Sequence, residues 1–306
     1  MWRTVIVTKG EKITVRDHWL VVYSDQNEAR IPIEDIYSVV IDNRQTLLSV
    51  NVMNTLAAAG AHIIFCGEDH MPLTVQLPLN THYRPLNVIQ SQFQMSQQLK
   101  DDLWGRIIYS KIDNQIRVLK LSHVYQQKWE VLEKLRDKIK PGDPTNMEAI
   151  AAKKYFPSLF GSFFTRQDDD VTNAALNYGY AIIRSAVAKT LVAYGYNCVL
   201  GIHHIGDKNP FNLADDMMEP LRPLVDYWTD SHVDELFSTL TRSNRADLVA
   251  LVNHVIRMEG KKMRVRYAID QYIRSFTTAV KNEDASLLKI PVIIQSDPFF
   301  EDDLDG

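Results

Sequence analysis

The first 80 residues alternate between apolar and polar positions in short runs, a period typical of strands with one buried face. These runs lie at 4–7, 12–16, 19–23, 29–33 and 36–41. Leu48–Ala59 carries apolar residues at helical spacing, and Gly60 follows as a helix terminator. The apolar run His62–Cys66 then predicts a buried strand. The pattern therefore predicts a small β-rich domain with one helix packed against it.

From Leu86 to Asp284 the apolar positions follow a helical period, as in the stripe from Trp104 to Leu119. Further helices are predicted at 171–194, 213–228, 232–240, 244–258 and 262–281. Three prolines interrupt the stretch before Leu86, which predicts a linker, and the residues after Asp284 predict an extended, partly disordered acidic tail. The fold class is therefore α+β, with a small N-terminal β-rich domain and a larger all-α C-terminal domain. The expected boundaries are 1–72 for the β-rich domain, 73–85 for the linker, 86–284 for the helical domain and 285–306 for the tail.

Composition narrows the class of protein only a little. The chain has 306 residues, of which 45% are hydrophobic and 24% charged, as expected for a globular protein. Its two cysteines, Cys66 and Cys198, are far apart, so neither a zinc ribbon nor a redox dithiol is indicated. The N-terminus has no leader pattern, and no apolar run approaches the length of a membrane span. We therefore expect a cytoplasmic protein without a membrane partner.

The net charge of −4 argues mildly against nucleic acid as a partner, but the charges are segregated. Residues 100–140 hold ten Lys/Arg against six Asp/Glu, and residues 257–266 hold five basic residues against one acid. Five acids gather after residue 296. The basic segments are compatible with DNA binding, although solvated helix faces explain them equally well.

Acidic residues and a histidine pair form the one constellation that suggests chemistry. Asp216 and Glu219 are three residues apart and share a helix face, as Asp215 and Glu219 also could. His203-His204 lies just upstream between two glycines. Carboxylates with one imidazole form an oxygen and nitrogen ligand set that suits Mg²⁺ or Mn²⁺. The alternative is that the acids stabilise helix N-termini, and the same alternative applies to Glu148 in the first turn of its own predicted helix.

The motifs together resemble a known family. The run Phe211–Pro223, with His204 upstream, Glu148 before Tyr155-Phe156, and the segment Asn173–Tyr180, is similar to the CRISPR spacer-acquisition integrase, the first-numbered Cas protein. The resemblance covers most of the chain, and the sequence Asn212–Pro223 resembles the type II variants of the family.

The resemblance implies that Glu148, His204 and Glu219 are the catalytic residues and bind the catalytic Mg²⁺ or Mn²⁺. Asp216 matches a second acidic position that some members use, so Asp216 and Glu219 could exchange roles as ligand. The β-rich domain would form a homodimer, and the second-numbered Cas protein would bridge two such dimers.

The activity that the resemblance implies is transesterification in CRISPR adaptation. The 3′-hydroxyl of a short double-stranded DNA fragment attacks a phosphodiester at the edge of a CRISPR repeat. Basic and aromatic residues near the motifs are DNA-contact candidates, although each could instead be a packing or ion-pairing residue. They are Lys153, Lys154, Arg166, Asn177, Tyr178, Arg184 and Arg222.

Two other functions compete with integration. In a stand-alone metal-dependent nuclease, the same ligands would activate water instead of a DNA hydroxyl. In a non-catalytic DNA-binding scaffold, the carboxylates would be helix caps and the basic segments the working surface.

Overall fold

The computed structural model describes residues 1–9, 11–24, 27–78, 82 and 84–295. Its N-terminal part holds eight strands and one helix. They are β1 (Arg3–Val7), β2 (Lys12–Arg16), β3 (Trp19–Ser24), β4 (Asn27–Pro32), β5 (Ile36–Ile41), β6 (Leu47–Leu48), α1 (Val50–Ala58), β7 (His62–Cys66) and β8 (Pro72–Gln76).

The strands form two four-stranded sheets, with orders β1-β5-β7-β8 and β4-β3-β2-β6. In the first sheet β1, β5 and β7 are parallel and β8 is antiparallel to β7. All six residues of β5 are buried, because the strand lies between two cores. Val39 packs with the apolar residues of the β-rich part, whereas Tyr37 and Val40 pack with those of the helical part.

The C-terminal part consists mainly of helices, with one antiparallel hairpin. The elements are α2 (Pro85–Gln94), α3 (Gln97–Leu121), α4 (Gln126–Arg136), α5 (Met147–Phe160), α6 (Val171–Ala193), α7 (Asn212–Met218), α8 (Arg222–Ser231), α9 (Arg242–Ala250), β9 (Val255–Met258), β10 (Lys261–Arg264) and α10 (Val265–Asn282). The long helices α3 and α6 contribute the largest shares of the helical core. A β-rich part followed by a helical part confirms the predicted α+β class.

Three predicted helices are wrong in detail. The predicted helix 213–228 is interrupted by a 3₁₀ turn, Glu219–Leu221, because Pro220 has no amide hydrogen to continue α7. The predicted helix 232–240 is only a short 3₁₀ turn, Val233–Glu235. The predicted helix 244–258 ends at Ala250, and its last residues form β9 of the hairpin, so the C-terminal part is not all-α.

Two predicted boundaries also differ from the structure. Strand β8 lies largely within the predicted linker 73–85 and pairs with β7. Part of that linker, 79–81 and 83, falls outside the described residues. The first residues of the predicted tail are packed rather than extended, because Leu288 and Ile293 are buried and Val292 pairs with Arg257. The remaining tail, 296–306, lies outside the described residues.

Polar contacts between the two parts accompany the apolar ones. Arg245 of α9 donates to the carboxylate of Asp42 at 2.9 Å, and both side chains are buried. Lys189 of α6 donates to the carbonyl oxygen of Tyr37 at 3.2 Å. In the part of the chain that the structure describes, no helix combines the length and the apolar character that crossing a membrane requires.

Candidate active site

Glu148 lies in the first turn of α5, but its carboxylate does not cap the helix. Asp143 accepts hydrogen bonds from the amides of Met147 and Glu148 at 2.8 and 2.9 Å, and Asn146 accepts one from Ala149. The free amides of the helix start are therefore satisfied by other residues. The Glu148 side chain is left to contact Lys111 of α3, whose Nζ lies 2.6 Å from Oε1. This contact argues against the simple helix-dipole explanation of Glu148.

Glu219 begins the 3₁₀ turn after α7, and its side chain is 4% exposed. Its Oε2 lies 2.5 Å from the same Lys111 ammonium, and Oε1 accepts a hydrogen bond from Arg222 Nε at 2.8 Å. Burial alone would raise the pKa of Glu219, but the charges of Arg222 and Lys111 outweigh it and lower this pKa to about 2. Glu219 is therefore a carboxylate at neutral pH.

Glu148 and Glu219 are 71 positions apart in the chain, yet both contact one nitrogen atom. Their facing oxygens are no more than roughly 5 Å apart, since each lies within 2.6 Å of Lys111 Nζ. Helix α3 supplies that nitrogen from its buried face, where Ile108 and Ile112 lie beside Lys111. The packing of α3, α5 and the 3₁₀ turn thus brings the two predicted ligands together.

His204 lies in the loop before α7, and the neighbouring histidine helps to fix that loop. The His203 ring stacks on the buried Trp104 of α3 at 4.1 Å between centroids, with planes 3° apart. His204 meets the same indole edge-on at 5.7 Å. Trp104 and Lys111 are two helical turns apart on one face of α3. The same face of this helix therefore packs against the histidine loop through Trp104 and contacts both carboxylates through Lys111.

Asp216 lies behind His204 and is fully buried. It accepts hydrogen bonds from the amides of Ile202, His203 and His204 at 2.6, 3.1 and 3.0 Å. It also contacts His204 Nδ1 at 2.6 Å. This contact raises the pKa of His204, chiefly because Asp216 accepts a hydrogen bond from the ring.

The contacts of Asp216 fix which nitrogen of His204 is available. A proton on Nδ1 that faces Asp216 leaves Nε2 with its lone pair free for a metal. Both Asp216 oxygens already accept hydrogen bonds from the loop, and Asp216 therefore holds the His204 loop in position. Gly201 is needed in the same turn, because a Cβ there would lie 2.1 Å from the His204 carbonyl oxygen.

The donor set fits a hard divalent cation. Glu148 and Glu219 provide oxygens, and His204 is close enough for its charge to lower the pKa of Glu219. Glu219 Oε2 is buried and accepts no hydrogen bond of good geometry, so it is open to a stronger cationic partner. Among the residues that the structure describes, no three His, Cys, Asp or Glu side chains converge as a preformed metal site. The ammonium of Lys111 lies where the two carboxylates would share a metal.

A cavity of about 260 Å³ adjoins this cluster and is lined by three arginines. Arg166 and Arg222 flank the ring of Tyr180, at 5.4 and 4.8 Å from its centroid. Asn177 accepts a hydrogen bond from Arg166 at 2.8 Å, and Arg184 is 3.9 Å from Asp215. Guanidinium groups held this way present several fixed donors to an anion such as a phosphate.

The structure distributes the predicted DNA-contact residues unevenly. Arg166, Asn177, Arg184 and Arg222 all line this arginine cavity. Lys153 and Lys154 are exposed on α5, the helix that begins at Glu148.

Tyr178 does not fit the predicted DNA contact, because it is 0% exposed and packs inside the helical core. Burial raises its pKa strongly. Tyr180, two residues later, lines the arginine cavity instead, and its hydroxyl donates to the buried Asp226.

Lys111 and Trp104 are the site residues that the sequence analysis missed. In an isoleucine-rich helical stripe, a lysine is typical of a side chain whose charged end reaches the solvent, and a tryptophan is typical of a core residue. The position of Lys111 in the sequence could have indicated its burial, because it falls on the helix face that also carries Ile108 and Ile112.

Comparison with known proteins identifies relatives of the whole chain. Residues 4–239 match the sequence model of the family described as CRISPR associated protein Cas1. A protein of Neisseria meningitidis serogroup C, named CRISPR-associated endonuclease Cas1, is 37% identical over 96% of this chain and 97% of its own length.

Solved structures share the fold at low sequence identity. A casposase bound to an integration product has a TM-score of 0.76 and 16% identity, with 97% of both chains covered. A Cas6-RT-Cas1–Cas2 complex has a TM-score of 0.74 and 18% identity, with 96% of this chain and 36% of that one covered. These likenesses establish the fold over nearly the full length of the chain.

Proposed function

The chain belongs to the Cas1 family of CRISPR-associated proteins, and from that premise we propose that it is a metal-dependent DNA integrase of CRISPR adaptation. It would insert short DNA fragments into a CRISPR array by attack of a fragment 3′-hydroxyl on a repeat phosphodiester. The observation that carries the proposal is the convergence of Glu148 and Glu219 on one buried cationic position, with the His204 loop clamped beside it.

Glu148, Glu219 and His204 Nε2 are the groups that would hold Mg²⁺ or Mn²⁺. When bound, such an ion polarises a phosphoryl oxygen and lowers the pKa of the attacking hydroxyl. Asp216 keeps the Nδ1 proton of His204 in place, so that the imidazole offers a lone pair in a fixed direction. Arg222 holds Oε1 of Glu219 and so fixes the plane of that carboxylate.

The arginine cavity is the proposed site for a DNA backbone phosphate. Arg222 belongs to both the cavity and the carboxylate cluster, so a strand anchored there would pass beside Glu219. Lys153 and Lys154 would neutralise further phosphates along α5. None of these contacts distinguishes one base from another, because phosphate contacts position a strand without reading its sequence.

Strand transfer conserves the number of phosphodiester bonds. The attacking oxygen forms one bond to phosphorus as the repeat strand's 3′-oxygen leaves, and the proton lost by the first oxygen is balanced by the one gained at the second. The reaction therefore needs no nucleotide cofactor. The chain's residues have to align the hydroxyl and the phosphodiester, which is the task of the arginine cavity and α5.

We propose two protein partners. The relationship to a chain in a Cas1–Cas2 complex supports a Cas2 partner, and the family resemblance supports a homodimer formed through the β-rich part.

The competing function is cleavage without joining. The Neisseria relative is named an endonuclease, and the same ligands could activate water. The name of the casposase structure, which includes an integration product, favours joining.

The test is a reaction of a short duplex with free 3′-hydroxyls and a supercoiled repeat-bearing plasmid, with Mn²⁺ and the Cas2 partner. Joined product supports the integrase, whereas cut plasmid without joined product supports the nuclease. Binding without either product would support the scaffold.

A further inference from the structure

Lys111 is a buried cation that contacts both proposed carboxylate ligands. Its Nζ lies 2.6 Å from Glu148 Oε1 and 2.5 Å from Glu219 Oε2, and its side chain is 11% exposed. Burial alone would lower the pKa of Lys111, but the charges of Glu219 and Glu148 outweigh it and raise this pKa. The Lys111 ammonium and the Arg222 guanidinium together thus balance the two carboxylates in the metal-free protein.

The two cations beside Glu219 bind it differently. Arg222 Nε donates a well-directed hydrogen bond to Oε1 at 2.8 Å. Lys111 lies at 2.5 Å from Oε2, yet that oxygen accepts no hydrogen bond of good geometry. The Lys111 contact with Oε2 is therefore a short but poorly directed ion pair, which a second cation can replace more readily than it can replace the Arg222 contact.

Buried carboxylates require compensation in every state of the protein. Two negative side chains held close together away from water are costly unless a cation lies with them. A divalent ion that binds both oxygens makes the ammonium redundant, and the two cations repel each other at such short range. Simultaneous full occupancy of the same pair of oxygens is therefore unfavourable.

We propose that Lys111 is an exchangeable counter-ion of this site, which occupies the carboxylate pair until a divalent metal displaces its ammonium. The inference rests on the proposed function, since it concerns the same carboxylates. Displacement has a definite consequence: the observed metal affinity is the intrinsic affinity reduced by competition with the tethered ammonium. Below a metal concentration that this competition sets, the Lys111 ammonium therefore remains in contact with the two carboxylates.

The test is direct titration of the metal-free protein with MnCl₂ alone, without DNA, by calorimetry or by electron paramagnetic resonance of free Mn²⁺. The variant is Lys111→Met, which keeps a long apolar stem and removes the competing charge. We expect Lys111→Met to bind Mn²⁺ at least about tenfold more tightly than wild type. We also expect its unfolding midpoint to fall in the presence of a chelator and to recover with Mn²⁺, because Arg222 alone then balances two neighbouring carboxylates in the metal-free variant.

Lys189→Met is the matched control. Lys189 is a partly buried lysine, but its ammonium lies over the Tyr37 ring and donates to a carbonyl oxygen. This control should leave the Mn²⁺ affinity unchanged, which separates competition at the site from a general effect of losing a buried lysine. If Lys111→Met does not fold, Lys111→Gln gives the same measurement with a neutral, polar amide in place of the ammonium.

The outcomes distinguish this inference from the proposed metal site. Mn²⁺ binding that Glu148→Ala weakens, but that Lys111→Met leaves equal or makes weaker, would overturn the counter-ion role alone. Mn²⁺ binding that is indifferent to Glu148→Ala would overturn the metal site and the inference together. Tighter binding in Lys111→Met, lost again in Lys111→Met with Glu148→Ala, is the result that the structure predicts.

Discussion

We expect Asp216→Asn to destabilise the metal-free protein and to weaken Mn²⁺ binding at the same time. Asp216 Oδ2 accepts from the amides of Ile202 and His203, and Oδ1 accepts from the His204 amide and contacts its ring. An asparagine at this position has one oxygen and one NH₂ group. Whichever way the amide turns, two backbone or ring donors then face a donor.

The expected loss of unfolding free energy in Asp216→Asn follows from the number of hydrogen bonds lost. A hydrogen bond to a charged group contributes about 1.5–3 kcal/mol, and a buried donor left without an acceptor costs a similar amount. Loss of two of the four contacts therefore costs about 3–6 kcal/mol of unfolding free energy, with some relief if the loop relaxes. His204 loses its orienting partner at the same time, which weakens metal affinity by about 10- to 100-fold.

The assay is urea unfolding in a chelator, followed by Mn²⁺ titration of the folded protein. Asp215→Asn is the matched control, since Asp215 is also buried but accepts one hydrogen bond from Asn209 at 2.7 Å. We expect the control to lose only about 1 kcal/mol of unfolding free energy.

The unfolding result discriminates between two roles of Asp216. A residue that only binds metal is an uncompensated buried charge without the metal, so its neutralisation would leave the metal-free protein equally stable or more stable. Asp216→Asn with wild-type stability in chelator, or with wild-type Mn²⁺ affinity, would refute the positioning role.

Four further predictions concern stability and DNA binding. Arg245→Leu leaves Asp42 buried without its guanidinium partner and should lower the unfolding free energy by about 3–5 kcal/mol in urea titrations; a loss below 1 kcal/mol would contradict this. Burial of His62 lowers its pKa to about 3, so at acidic pH the unfolded chain binds a proton that the folded chain does not bind. The unfolding free energy should therefore fall as the pH drops below about 6.5, by about 3 kcal/mol at pH 4.5. His62→Phe should make the unfolding free energy less dependent on pH in this range. Gly179→Ala places a Cβ 2.4 Å from a valine methyl of α8 and should lower the unfolding free energy by about 1–3 kcal/mol in the same assay. An unchanged unfolding free energy would show that α6 and α8 separate without cost. Arg184→Gln should reduce the slope of log affinity for duplex DNA against log salt by about one, and an unchanged slope would exclude a phosphate contact there.

The order and type of most elements could be predicted from the sequence, because each has a clear period. The hairpin of β9 and β10 was missed for a local reason. Its turn places Glu259 and Gly260 at φ of 48° and 82°, and glutamate is an uncommon residue in that region. The apolar residues Val255 and Met258, which both precede the turn, are three positions apart and fit a helical spacing equally well.

The site could be predicted only as far as its motifs extend. Glu148, His204 and Glu219 lie in recognisable segments, and folding brings Glu148 and Glu219 to one cation with the His204 loop beside them. The roles of Lys111 and Asp216 depend on distances across the fold that spacing does not encode. A carboxylate three residues before Glu219 is equally compatible with a ligand and with a loop clamp, and only its contacts with the 202–204 amides separate the two.

The most direct test of the central claim is strand transfer of a short 3′-hydroxyl duplex into a supercoiled repeat-bearing plasmid, with Mn²⁺ and the Cas2 partner present. Wild type is compared with Glu148→Gln and His204→Ala, which change the proposed ligands on two separate elements. We expect wild type to form joined product in a metal-dependent reaction, and either variant to lose at least about 100-fold of that activity. Joined product that either variant forms at the wild-type rate, or that wild type forms in a chelator, would contradict this expectation.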